Sequence, residues 1–214
     1  MAAALACAAS GLGGKAFAKG AEMDKKDVRI LVMGDSLSAE YGISKGQGWV
    51  ALMEQRIRQR GLGAQVFNSS ISGETTAGGR SRLAKELERT KPTLLVIELG
   101  CNDALHGMPL EVPRSNLAQM VAMGQRAGAK VVLVGMRMPP NYGKAYADGF
   151  DGIYKELAAK TNSTLAPFMF AGVADVADAR DYFQADGLHP LAKAHPKILE
   201  NIWPKVSEAA GWGA

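Results

Sequence analysis

Residues 93–99 read "TLLVIEL", an almost unbroken aliphatic run that gives way at once to Gly100, Cys101, Asn102 and Asp103. A strand with one face in water alternates apolar and polar side chains. A run without alternation marks a strand covered on both faces, as in a parallel sheet flanked by helices. Residues 130–136, "KVVLVGM", repeat the pattern. Further out, "VRILVM" (28–33) and "AQVFN" (64–68) read as strands and "STLAPF" (163–168) as a weaker fifth.

Between these runs the apolar residues take helical spacing. Val50, Met53 and Ile57 share one face, as do Leu83 and Leu87, Leu117, Met120 and Val121, Ile153 and Leu157, and Ile198, Ile202 and Val206. Strand and helix alternating in this way predict an α/β fold with a central, mostly parallel five-stranded sheet, helices on both faces and right-handed crossovers. Residues 28–214 read as a single domain, with no internal repeat or linker.

The chain has 214 residues, 47% of them hydrophobic and 21% charged, ordinary composition for one sizeable core. Its net charge is +4. The basic residues are scattered among acids along helix-like stretches, the pattern of solvated helix faces rather than of a nucleic-acid stripe. No nucleic-acid partner is expected. Residues 1–27 read as a leader: small and apolar, with an A-x-A site at Ala16–Ala18 of the kind cleaved on export. The expectation is a periplasmic or secreted protein cleaved near Ala18, and otherwise a cytoplasmic one. Cys7 in "ALAC" also fits lipoprotein processing. The apolar run is shorter than the ~20 residues of a membrane span, so no stable membrane insertion is expected. A monomer is favoured.

In an open α/β sheet, ligands bind beyond the carboxyl ends of the strands. The residues found there are Gly34-Asp35-Ser36, then Asn68 to Glu74, then Gly100 to Asp103, then "PPNYG" (139–143), with "ADGLHP" (185–190) near the end. A serine hydroxyl needs a base to take its proton, and the base needs an orienting group. Of the three histidines, His106, His189 and His195, only His189 has a carboxylate beside it in a turn, Asp186 three residues earlier. Attack on a carbonyl also creates an oxyanion, which needs donors already aimed at it. Candidates are the backbone N–H of Ser36, that of Gly73 and the side-chain amide of Asn102. Taken singly, each segment reads better as an ordinary turn, loop or helix cap. Together, their chemistries are complementary.

"GDSLS" (34–38), "NSSISGET" (68–75), "ELGCND" (98–103) and "DGLHP" (186–190) resemble, in order and spacing, the four blocks of the SGNH hydrolases, also called the GDSL family. Within it the chain is most similar to the bacterial thioesterase/lysophospholipase and arylesterase subgroup. The resemblance implies a flavodoxin-like three-layer α/β/α sandwich and an acyl-ester hydrolase working through an acyl-enzyme. Ser36 would be nucleophile, His189 base and then acid, and Asp186 its orienting group. Ser36, Gly73 and Asn102 would form the oxyanion hole, with no metal and no cofactor. The substrate would be a small acyl ester, a thioester or a lysophospholipid. Asp35, Leu37, Leu105, Pro140 and Tyr142 are the expected substrate-binding residues. Cys101 stands where the subgroup commonly has glycine, and it is expected to narrow the acyl pocket or restrain a left-handed backbone. An O-deacetylase or arylesterase with the same residues is the alternative within the class, and a non-catalytic flavodoxin-like binding module the alternative outside it. No G-x-S-x-G, P-loop, G-x-G-x-x-G or H-E-x-x-H pattern is present to support other chemistries.

Overall fold

A computed structural model of the chain describes residues 28–213 apart from Pro139, with Pro140 described by its backbone alone. The leader reading, the Ala16–Ala18 site and Cys7 lie outside the described residues. The five apolar segments become the strands β1 (Val28–Gly34), β2 (Ala64–Asn68), β3 (Leu94–Glu98), β4 (Lys130–Val134) and β5 (Thr164–Ala166). They form one sheet in the order β2-β1-β3-β4-β5. Every ladder is parallel, so the expected "mostly parallel" sheet is parallel throughout. Every residue of β3 is buried, as its unalternating sequence requires.

The helices are α1 (Trp49–Gln59), α2 (Thr76–Thr90), α3 (Cys101–Leu105), α4 (Glu111–Arg126), α5 (Lys144–Thr161) and α6 (His195–Ala210). α1 packs on α6, while α2 packs on α4 and α4 on α5. This pairing gives the two outer layers of the α/β/α sandwich. Two elements differ from the expectation. β5 is three residues long, because Pro167 follows Ala166 and has no N–H to extend the ladder. α3 was unforeseen, because five residues are too few to display a helical period.

Strand order sets where a site forms. From β1 the chain crosses to β2 on one side, and β3 then returns to the other side of β1. The crevice at this reversal lies beyond the carboxyl ends of β1 and β3. Gly34 pairs with Glu98 in the β1–β3 register, so the segments beginning at Asp35 and Leu99 leave the sheet side by side.

α1 has no side-chain cap of its own at Gly48. The first helical N–H, that of Trp49, donates instead to Nδ1 of His195 at 3.0 Å, at the start of α6. His195 is buried, and burial pulls its pKa down to about 4, against a smaller opposing pull from Glu40. A neutral imidazole is required, because the protonated ring has no lone pair to accept the bond. The folded pKa lies below the unfolded value of 6.5. The stability that His195 contributes is therefore present above pH 6.5 and lost as pH falls through that value toward about 4. Melting temperatures measured between pH 7 and 4 are expected to fall less steeply for His195→Asn than for the parent, the asparagine variant starting lower at pH 7.

Candidate active site

The turn after β1 is built around Gly34, Asp35 and Ser38. A Cβ at Gly34 would lie 2.6 Å from Ser38 Oγ and 2.9 Å from Glu98 Oε2, so only glycine lets the chain fold back here. Asp35 Oδ1 accepts the Leu37 N–H at 3.0 Å, and the Asp35 carbonyl accepts those of Ser38 and Ala39. No α-helix begins at Ser36; the chain continues in turns until α1. Tertiary bonds hold the turn in place of a helix. Ser38 Oγ donates to Glu98 Oε2 at 2.7 Å, and Trp49 Nε1 donates to Ser38 Oγ at 3.2 Å.

The structure brings Ser36, His189 and Asp186 into one hydrogen-bonded line. Ser36 Oγ lies 2.9 Å from His189 Nε2, and His189 Nδ1 lies 2.7 Å from Asp186 Oδ2. The other carboxylate oxygen, Asp186 Oδ1, accepts the backbone N–H groups of Leu188 and His189 at 2.9 and 3.0 Å. Burial works to raise the Asp186 pKa. The bonds from the His189 ring and the His189 and Leu188 amides outweigh it and bring the value to about 2. An ionised Asp186 places the imidazole proton on Nδ1 and leaves Nε2 to accept from the serine hydroxyl.

Of the oxyanion candidates, Ser36 and Asn102 line one cavity and Gly73 lies outside its lining. Among the described residues the N–H groups of Ser36 and Gly73 donate to no protein acceptor. Gly73 has φ 77°, a conformation that favours glycine. Asn102 Nδ2 is already engaged, donating to Asp35 Oδ2 at 3.0 Å and to the Glu74 carbonyl at 2.9 Å. It would reach an oxyanion as a shared donor, held between the β1 turn and the loop carrying Gly73. Burial, first, raises the Asp35 pKa to about 6, against the opposing pull of the Leu37 amide, His189 and Asn102.

A cavity of about 610 Å³ opens beside Ser36. Asp35, Leu37, Asn102 and Leu105 line it, where the sequence placed them. Tyr142 does not. It is exposed at the end of a 3-10 turn, Pro140–Tyr142, and the lining after β4 comes from Met136, Arg137 and Met138 instead. The chain reaches the cavity wall immediately past Val134 and has left it by residue 142. The Pro140 side chain lies outside the described residues. The far wall is aromatic: Phe168, Phe170 and Phe183 meet edge to face in sequence, with centroids 6.2 and 5.5 Å apart.

Cys101 also lines the cavity. Its backbone is helical, and the left-handed position belongs to Gly100, at φ 121°. There a Cβ would meet the Tyr154 hydroxyl at 2.6 Å, so Cys101 imposes no backbone restraint of the kind expected.

Some residues of the site escaped the sequence reading. Asp103 is fully buried and accepts from the Thr76 N–H at 2.8 Å and its hydroxyl at 2.5 Å, tying α3 to the start of α2. Glu98 is fully buried beneath the serine turn. Burial, then the neighbouring Asp35 carboxylate, push its pKa well up. A single acid inside an aliphatic strand was the available signal for Glu98, whereas Asp103 looked like any turn residue.

The model of the GDSL-like Lipase/Acylhydrolase family matches residues 32–196. The chain is 46% identical to Esterase TesA of Pseudomonas aeruginosa, over 83% of this chain and 87% of that protein. It is 41% identical to the arylesterase of Vibrio mimicus, over 81% and 86% of the two chains. It is 34% identical to thioesterase 1/protease 1/lysophospholipase L1 of Escherichia coli K12, over 80% and 79%. Among solved structures, that of TesA superposes with a TM-score of 0.81 at 45% identity, over 85% of this chain and 99% of the other. A psychrotrophic esterase, EstA from Pseudoalteromonas, solved with monoethylphosphonate as inhibitor, gives 0.79 at 36% identity, over 84% and 97%.

Burial, and the carboxylates of Asp35, Glu98 and Asp103, push the Cys101 thiol far above its ordinary pKa. A thiol held protonated is a poor nucleophile. Cys101→Ala is expected to keep ester turnover within about threefold of the parent, and iodoacetamide at pH 8 to leave activity in place while alkylating a small thiol normally. Complete inactivation by either change would give the sulfur a chemical role.

Proposed function

The chain belongs to the GDSL-like lipase/acylhydrolase family and is a carboxylic ester hydrolase, and from that premise we propose that Ser36 is its nucleophile, His189 its base and Asp186 the group that orients His189. The 2.9 Å approach of Ser36 Oγ to His189 Nε2, with Asp186 behind the ring, carries this reading. Ser36 Oγ attacks the acyl carbon as His189 Nε2 takes the hydroxyl proton. The carbonyl π bond becomes an oxyanion beside the Ser36 and Gly73 amides and Asn102 Nδ2. Collapse breaks the bond to the leaving oxygen or sulfur, which receives the proton from His189. Water, deprotonated by the same ring, then releases the acid and restores Ser36.

Ionised Asp186 stabilises the imidazolium formed at each proton transfer, without itself taking the proton. Among the described residues the Ser36 and Gly73 amides have no protein acceptor, which supports them as donors to the oxyanion. The apolar, aromatic-walled cavity supports an acyl or aryl group larger than acetyl as the part held during reaction. The names of the relatives, arylesterase and thioesterase/lysophospholipase, support oxyesters and thioesters as candidate substrates. The sequence of residues 1–27 supports export of the enzyme.

A fluorophosphonate probe is expected to label the parent and not Ser36→Ala. Asn102→Ala is expected to slow turnover ~100-fold or more. Ser36→Ala and His189→Ala should each cost far more, and the double variant should be hardly worse than either, because the pair acts as one unit. A labelled Ser36→Ala would remove the basis of the assignment. Turnover of p-nitrophenyl esters from acetate to palmitate, beside palmitoyl-CoA and a lysophospholipid, would rank the substrates; a maximum at acetate would argue for deacetylation instead.

A further inference from the structure

The segment carrying His189 closes on itself. The Leu191 N–H donates to the Tyr182 carbonyl at 2.8 Å, the Gln184 N–H donates to the His189 carbonyl at 2.8 Å, and Phe183 pairs with Pro190 in an antiparallel bridge. It is a small, self-contained loop. Among the described residues, two hydrogen bonds cross from this loop to the serine turn, residues 35–43. One is the reacting pair, Ser36 Oγ with His189 Nε2. The other runs from Gln184 Nε2 to the Tyr41 carbonyl at 2.9 Å. The same Gln184 nitrogen also donates to the Pro190 carbonyl at 3.2 Å, so its carboxamide spans both segments. Tyr41, half exposed, lays its ring against the imidazole of His189, with centroids 4.4 Å apart and planes tilted by 42°.

The backbone is shaped for this junction. Gly42 has φ 72°, and a Cβ there would collide with the Gln184 carboxamide. Glu40, the residue before Tyr41, has φ 61°, an uncommon conformation for a residue with a side chain. It is held there by two bonds to Glu40 Oε1, from the Gly46 and Gly48 amides at 2.8 Å each. The strained turn delivers the Tyr41 ring to the imidazole and its carbonyl to Gln184.

We propose that Gln184 and Tyr41 are positioning residues for His189, acting as a latch between the loop of the base and the turn of the nucleophile. The inference rests on the catalytic reading of Ser36 and His189. Its chemical logic lies in the acyl-enzyme. Once Ser36 Oγ is esterified it has no proton to donate, and its bond to His189 is gone. The base must still stand over the acyl carbon to deprotonate water. At that stage Asp186 still orients the ring within its own loop, and among the described residues the Gln184 bond and the Tyr41 ring remain to hold that loop and its imidazole against the serine turn. An error of an ångström in its position is worth about 100-fold in rate.

The test uses the full chain and three variants. Gln184→Met keeps the length and removes the donor, Tyr41→Ala removes the ring, and Tyr41→Phe keeps it. Gln184→Met and Tyr41→Ala are expected to lower kcat for a p-nitrophenyl ester by ~10-fold or more through slower deacylation, seen as a burst of p-nitrophenol, with kcat/KM and the rate of fluorophosphonate labelling changed less than kcat. Tyr41→Phe should retain the parent kcat, and melting temperatures should not track the losses. The latch is overturned if Gln184→Met and Tyr41→Ala keep the parent kcat and show no burst, if KM rises while kcat holds, or if Tyr41→Phe fails as badly as Tyr41→Ala. Labelling of the parent and its loss in Ser36→Ala separate the two readings. If those controls hold and the variants are unaffected, the latch alone fails; if the controls fail, the latch falls with the catalytic reading.

Discussion

Gly34 sits beside Glu98 in the register of two neighbouring parallel strands, and the geometry of the site descends from that pairing. Strands buried on both faces cannot slip by one residue without turning every side chain to the wrong layer. β1 and β3 therefore end at a common level. Ser36 and Asn102 leave the sheet together, at the place where the strand order reverses. The glycine serves the same junction from the other side, since its missing Cβ is the space taken by Ser38 Oγ and Glu98 Oε2. The serine is thus presented by a turn fastened to the sheet below it, without a helix to carry it.

The fastening is polar and costly. Asp35, Glu98 and Asp103 are almost wholly buried at the carboxyl ends of β1 and β3. Burial raises the pKa values of Asp35 and Glu98 and disfavours their charged forms. Asp35 and Asp103 offset the cost with bonds to backbone and side-chain donors. Glu98 accepts from Ser38 through one oxygen, and its other oxygen has no partner among the described residues. An apolar residue at any of these three positions would spare the burial of an acid. Each acid instead holds a segment of the site: the Ser36 turn, the Asn102 side chain, or the first turn of α2. Stability given up at a site in exchange for fixed geometry is a general trade in enzymes.

Much of this was legible in the chain. The unalternating runs at 93–99 and 130–136 identified a parallel sheet, because only such a sheet hides both faces of a strand. Ser36, Asp186 and His189 were legible because their chemistry is unusual in combination, and because Asp186 and His189 lie in one turn. Gly73, Asn102, Leu37 and Leu105 followed from strand-end position. Tyr142 was misplaced for want of the path after β4, which depends on where a ladder stops and the chain turns. Gln184 and Tyr41 carried no signal: a glutamine two residues before Asp186 and a tyrosine after "GDSLSAE" are ordinary surface residues until the loops meet.

By itself, then, the order of residues determined the layer architecture and the family and singled out the candidate reacting groups, since these depend on periodicity and side-chain chemistry that are local in the chain. Tertiary structure alone decided the distances between those groups, the buried acids that hold the serine turn, the shared duty of Asn102 and the use of His195 as a cap. Apart from the Asp186–His189 pair, each of these joins residues many positions apart, whose contact exists only after burial has fixed the strand register and the helix layers.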